Sequence, residues 1–431
     1  MELIGTLLGV PFVYLAILGL APRRVRGLVV AAVLIALTLS WTPVTPTGVR
    51  EAAIFGSAEA LLLSLSAKRF STGVRPLVPA LVVVFFVSGL VSTWIVFPEG
   101  TPGFIRLALL GVLAVVVSAQ FSVADRSTAI AGLLTAAVVQ VVAGVMQSLS
   151  GTPPLWGFGR DDGGAAVVYQ NPLLGDTVIR WQGTAGHPIP YAMVIVLALI
   201  TVLATRMARR RKWVVVLVLA YGAALFFSGT RTALLAGLVA VCYLFLLSGQ
   251  SKHRFWNYLA AVVIISGAYL LDFGLRSGVD ELVDSGSFTN RQDALTSIVK
   301  LMGRSSSAVL FGNGAGSEQT LFAAGLLQQN GFNVIDNQLV TTLATQGILG
   351  AALLITIFLA ALISGDRTKR ALILVLIVML FSFDYLRWPT MVVFALVTIG
   401  LPNGVPTAVA SVEGAQLPER RLKSRVTGGW R

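Results

Sequence analysis

The chain has 431 residues, of which 56% are hydrophobic and only 12% charged, and its mean hydropathy is +0.83. Soluble proteins carry about 25% charged residues, so an ordinary water-soluble multidomain protein is excluded and an integral membrane protein is expected. The net charge of +13 would suit nucleic acid, but the basic residues lie in short clusters between apolar runs, as positively charged cytoplasmic loops do.

Apolar runs predict membrane helices over 3–21, 27–41, 52–67, 76–97, 103–121, 127–149, 187–205, 213–228, 231–249, 257–274, 337–363, 371–386 and 388–402. Crossing the hydrocarbon takes about 17 to 25 residues and some of these runs are short, so the expected fold is an all-α polytopic membrane protein with about 12 to 13 transmembrane helices. The runs are continuously apolar, whereas barrel strands would alternate. The first run lacks a basic leader and is followed by Arg23, Arg24 and Arg26, so it reads as a retained helix and not a cleaved signal. The chain then divides into N-terminal transmembrane helices (1–149), an exterior loop (150–186), central transmembrane helices (187–274), a large exterior loop with amphipathic helices (275–336), C-terminal transmembrane helices (337–402) and a basic cytoplasmic tail (403–431).

Orientation follows from lysine and arginine. Clusters at 23–26, 68–75, 126, 206–212, 252–254, 367–370 and 420–431 hold 22 of the 32 basic residues, which assigns those loops to the cytoplasm. The N-terminus and the two long loops then face outward. Loops longer than about 12 to 15 residues are usually functional or disordered, and both of these carry apolar and aromatic residues throughout, as folded segments do. In the second, Asn290 and Asp293 look like an N-terminal cap for an amphipathic helix through Met302, and Gly312, Asn313, Gly314, Ala315 and Gly316 form a turn that opens a helix from Ser317 to about Gln329.

Outward-facing arginines are the first candidates for chemistry. Arg231 begins a helix in Ser228-Gly229-Thr230-Arg231-Thr232, where a cation opposes the positive end of the helix dipole and calls for a compensating anion. Arg180 and Arg291 also place a guanidinium beside an apolar surface. Converging arginines would hold a diphosphate through bidentate charge-assisted hydrogen bonds; separately, each could snorkel to headgroups or pair with a local acid. Asp336 precedes a membrane helix, as a general base for a hydroxyl or as a helix cap. Glu59, mid-helix, is either functional or paired with a neighbouring helix. His187 enters a helix as a substrate ligand, an acid or a backbone-bonded histidine. The glycine-rich turn could cradle phosphate with its N–H groups. Cys242 stands alone and only His187 and His253 accompany it, so an intrachain disulfide and a His/Cys zinc site are both excluded.

Phe226-Phe227-Ser228-Gly229-Thr230-Arg231-Thr232-Ala233-Leu234-Leu235 resembles a helix start of the O-antigen ligase and O-antigen polymerase superfamily of bacterial membrane glycosyltransferases. Gly183-Thr184-Ala185-Gly186-His187-Pro188, Arg291 ahead of Phe311-Gly312-Asn313-Gly314-Ala315-Gly316, and Asp336-Asn337 leading to Gln346-Gly347-Ile348-Leu349-Gly350 agree in order and spacing over about 180 to 350. The resemblance implies a GT-C-like fold in the bacterial plasma membrane and a site on its periplasmic or extracellular side that needs no metal or other cofactor. It further implies transfer of a glycan from a polyprenyl diphosphate to an acceptor hydroxyl on a glycan or lipid. Arg180, Arg231 and Arg291 would bind the diphosphate, Asp336 would be catalytic, and His187 and Asn337 would touch substrate. Ligases commonly have histidine where this chain has Asp336, whereas related peptidoglycan strand polymerases use an acid, so a polymerase-like role in surface polysaccharide assembly is expected. A ligase attaching finished polysaccharide to a lipid or protein, and a transporter or flippase of lipid-linked glycans that uses Glu59, are the alternatives.

Overall fold

The computed structural model describes residues 25–40, 42, 44–65, 76–151, 153–158, 167–206, 212–247, 286–329 and 333–403. The helices predicted over 3–21 and 257–274, and the basic tail, lie outside the described residues. The described chain is mostly helical. In order come α1 (Val25–Ser40), α2 (Thr47–Leu65), α3 (Leu77–Val96), α4 (Thr101–Ala119), α5 (Val123–Ser150), β1 (Gln170–Asn171) and β2 (Gly175–Ile179). There follow α6 (Pro188–Arg206), α7 (Lys212–Ser228), α8 (Arg231–Cys242), α9 (Gly286–Met302), α10 (Ser306–Phe311), α11 (Glu318–Ala323), α12 (Gln338–Ser364), α13 (Arg367–Met379) and α14 (Pro389–Gly400).

Among the described residues, five spans are long and apolar enough to cross a membrane: Leu77–Val96, Pro98–Ala119, Val123–Ser150, Pro188–Thr205 and Gln338–Ser364. Shorter apolar helices fill in around them. In water the outer faces would be polar, yet Trp94, Ile95, Leu149 and Ile363 point outward and exposed, as lipid-facing residues do. Two helices are apolar all round and central: every residue of α14 is buried, and α6 buries an unbroken run from Tyr191 to Ala198. Around them α1 packs on α5, α4 on α14, α3 on α12, and α13 on α8.

The two ends of the bundle differ in chemistry. At one end the Ser122–Asp125 capping box also accepts the Gly27 N–H (2.9 Å), Arg126 pairs with Asp366 at 2.8 Å, and Lys369 donates to the Leu401 carbonyl. The other end carries both long loops. The first loop departs from the all-helical expectation, because β1 and β2 pair as an antiparallel hairpin.

The second loop is built on a break in α12. Gly347 has φ 66° and ψ −164°, a conformation open essentially to glycine alone, so the helical ladder is interrupted there. The carbonyls this exposes are taken up by the loop: Leu343 and Ala344 each accept from the Arg304 guanidinium at 3.0 Å, Ala344 accepts from the Asn313 N–H, and Thr345 from the Gly314 N–H. The Gly312 N–H bonds the Ala308 carbonyl and the Ala315 N–H bonds Thr93 Oγ1. Four consecutive N–H groups of the glycine-rich turn are thus spent on protein acceptors. The phosphate-cradle reading of this turn is corrected accordingly: its glycines serve close docking. Two boundaries also move. α9 starts at Gly286, so Asn290 is interior and not a cap, and α11 stops at Ala323, before Gly325 in the left-handed region (φ 69°).

Candidate functional site

The site is assembled where α7, α8, α9 and α12 meet the hairpin. Asn171 is fully buried and donates to the Phe226 and Phe227 carbonyls, which seats β1 against the last turn of α7. Gly229 (φ 60°) then reverses the chain into α8, and a Cβ there would stand 2.7 Å from Asn171 Oδ1. Tyr169 and Arg180 face each other across the open end of the hairpin, joined by the Arg180 N–H to the Tyr169 carbonyl at 2.9 Å. Residues paired across strands share a face, so the guanidinium lies over the Tyr169 ring, 6.0 Å from its centroid. The next residue, Trp181, points the other way and stacks on Phe227 at 4.7 Å.

Arg180 is locked in place: Nε donates to the Ser228 carbonyl at 2.6 Å and an Nη to Thr230 Oγ1 at 2.9 Å. Thr230 is bonded in turn to the Pro188 carbonyl, tying α8 to α6. Arg231 is the first residue of α8, as the sequence predicts. From α9, Arg291 donates to Thr232 Oγ1 at 3.1 Å, and its Nε is buried with no acceptor among the described residues. The neighbouring Asn290 donates to Asp336 Oδ2 at 3.1 Å.

The charges report the same convergence. Burial lowers the Arg180 pKa to about 10, and the like charges of Arg291 and Arg231 add to that, while Tyr169 opposes it. Arginines from three distant stretches of sequence are therefore electrostatic neighbours. Burial also lowers Arg291, against the pull of Asp336. Asp336 is raised by burial, opposed by Arg291 and by the Asn290 hydrogen bond.

Asp336 is not the helix cap. Asn337 is: its Oδ1 accepts from the Leu339 and Val340 N–H groups at 3.0 and 3.2 Å, and Asn337 is 1% exposed, with Nδ2 unpartnered among the described residues. The Asp336 carboxylate is thereby left for the cavity it lines, about 280 Å³ in volume, with His187, Val334, Phe383, Asp384, Arg387 and Trp388. His187 accepts the Ile189 N–H at Nδ1 (3.3 Å) and meets the Tyr169 ring edge-on at 4.9 Å. Burial and then Arg180 lower its pKa to about 3, so the imidazole is neutral at physiological pH, accepting at Nδ1 and keeping its one N–H at Nε2, which suits hydrogen bonding better than strong proton donation. The three arginines do not line this cavity; charge coupling links Arg180 to His187 and Arg291 to Asp336.

Three residues belong to the site that sequence reasoning did not single out. Asp384 lines the same cavity as Asp336, and burial raises it to about 7 against the opposing charge of Arg387, with Asp336 and Glu318 adding to the rise. Arg387 lies 3.4 Å from Asp384 and 3.3 Å from Glu318, and these acids outweigh its burial to raise its pKa. Tyr169 is the third. Asp384 had a readable signal, an acid inside an apolar run, the same feature that drew attention to Glu59. Glu59 itself is exposed and lines neither this cavity nor the neighbouring one between α2, α4 and α12.

No family model matches the chain, and no curated protein matches it.

Proposed function

We propose that this chain is a membrane glycosyltransferase of the bacterial plasma membrane, which transfers a glycan from a polyprenyl diphosphate to an acceptor hydroxyl at the outer face, polymerase-like, in surface polysaccharide assembly. The observation that carries the reading is the convergence of Arg180, Arg231 and Arg291, which crowd one another, beside a buried carboxylate, Asp336, that caps no helix. Crowded guanidinium groups in a low-dielectric site are relieved by an anion, and the planar fork suits the oxygens of a diphosphate.

In the reaction, Asp336 takes the proton of the acceptor hydroxyl as its oxygen bonds the anomeric carbon from the face opposite the leaving group. The bond from that carbon to the diphosphate oxygen breaks, the configuration inverts, and the arginines hold the departing charge. Asn290 orients the Asp336 carboxylate, and Arg291 and Asn290 oppose the rise in its pKa that burial imposes.

The test is transfer by purified protein, with complementation of a deletion strain. Asp336→Asn is expected to lower turnover by about 10² to 10⁴, the usual weight of a general base. Arg231→Ala is expected to lower it by about 10² to 10³, the weight of a preorganised charge-stabilising donor. Wild-type polymer length and yield in both variants would overturn these roles. Single repeat units left on the carrier in the deletion strain are expected; long polymer stranded on the carrier would point to a ligase.

A further inference from the structure

A second cavity, of about 360 Å³, lies between α2, α4 and the start of α12, and it shares one wall, Arg387, with the Asp336 cavity. This is the small end of the roughly 300 to 1,000 Å³ range of small-molecule sites. Its lining charges are balanced: Arg50, Arg106 and Arg387 against Glu51, Glu99 and Glu318. Nothing there favours an anion, in contrast to the crowded arginines next door.

The hydrogen-bonding inventory of the walls points to a ligand. Glu318 Oε1 is held by Arg387 at 3.3 Å, but Gln346 is 7% exposed and its Oε1 is buried with no hydrogen-bond donor among the described residues. Glu51 Oε2 is in the same state, while its other oxygen is held by Arg106 at 2.7 Å. Two buried acceptors short of donors are costly unless a ligand supplies O–H or N–H groups. The aromatic rings of Phe85, Phe86 and Phe104 line the same space, an apolar surface for the C–H face of a ring.

We infer that this second cavity binds an uncharged, hydroxyl-rich sugar unit of the acceptor, with Gln346 and Glu51 accepting its hydroxyl protons and Arg387, paired with Glu318, separating it from the Asp336 cavity. The inference rests on the glycan-transfer reading and supplies its missing half: charge recognises the donor on one side of Arg387, neutral hydrogen bonding the acceptor on the other.

Purified full-length protein in lipid nanodiscs is titrated with a panel of neutral, fluorescently tagged oligosaccharides and, separately, with inorganic pyrophosphate. A neutral oligosaccharide is expected to bind. Gln346→Leu and Glu51→Gln are each expected to weaken that binding about tenfold, the weight of one buried hydrogen bond, with pyrophosphate binding unchanged. Arg291→Ala is expected to do the converse. Glu51 stands at the less buried side of the cavity, so its variant keeps the test alive if Gln346→Leu, so near the α12 break, fails to fold. Failure of every neutral oligosaccharide to bind, or unchanged sugar binding in a folded variant, overturns the assignment. A wild-type protein that binds sugar but not pyrophosphate upholds the cavity and removes the transferase reading instead.

Discussion

Asp384 and His187 line one cavity and titrate in opposite senses. A buried carboxyl raised to about 7 binds a proton in the folded state that the unfolded chain has already lost, so its contribution is present at acid pH and disappears as pH rises through about 7. A histidine lowered to about 3 does the reverse, losing its contribution as pH falls below the ordinary histidine range. The two oppose each other between the ordinary carboxylate and histidine ranges. Asp384→Asn removes one of them, and its thermal unfolding in detergent should therefore decline less than that of the wild type as pH rises towards 7. Parallel pH profiles for the two proteins would show that Asp384 is not protonated in the folded chain. The proposed transfer would have its own pH limb: as a base Asp336 would have to be ionised, and it is raised by burial, so the rate should fall on acidification above the usual carboxylate range. Asp336→Asn should lose that limb together with its activity.

Among elements, the break in α12 has the clearest mutational signature. Gly347→Ala would force a side chain into a region that costs about 1 to 3 kcal/mol and would set its Cβ 2.4 Å from the Leu310 carbonyl oxygen, so a marked fall in melting temperature is expected. Arg304→Met keeps bulk but strips donors from the Leu343 and Ala344 carbonyls, at about 1 to 3 kcal/mol for each group left unpaired. An unchanged melting curve for Arg304→Met would mean that water reaches those carbonyls. Little of this was legible in the sequence. Hydropathy runs straight through Gly347 because glycine is common in membrane helices, and the partners of the broken ladder come from a loop about forty residues earlier. The membrane helices were legible, since apolar length is a local property: α1 to α7, α12 and α14 match predicted runs to within about five residues at each end, while α8 and α13 stop about seven residues before the ends of theirs. The hairpin was not, because strands this short leave too few residues to show alternation. The arginines were legible one at a time, and Asp384 only as an acid near the end of a run read as membrane helix; only folding shows which charges meet.

At the scale of the whole molecule, the expected orientation puts the hairpin end outside. A single cysteine at Leu155, which is 58% exposed on the first loop, in a Cys242→Ser background, should react in intact cells with a maleimide that cannot cross membranes. Labelling only after the membrane is opened would reverse the topology and move the site to the cytoplasm. The fold explains how a mostly apolar chain can hold a charged site at all. Buried cations are tolerated where each finds a fixed acceptor, and the turn between α7 and α8, the first turn of α8 and the loop before α12 supply Arg180 and Arg291 with backbone carbonyl, hydroxyl and carboxylate.

The interrupted helix also sets an order of assembly. Arg304, Asn313 and Gly314 find their hydrogen-bond acceptors on a segment that leaves the ribosome after they do, so this part of the loop waits, unlatched, until the later helix is threaded and opens its backbone to receive it. Shortening the chain ahead of residue 338 should leave that part open to proteolysis while the helices before it remain inserted.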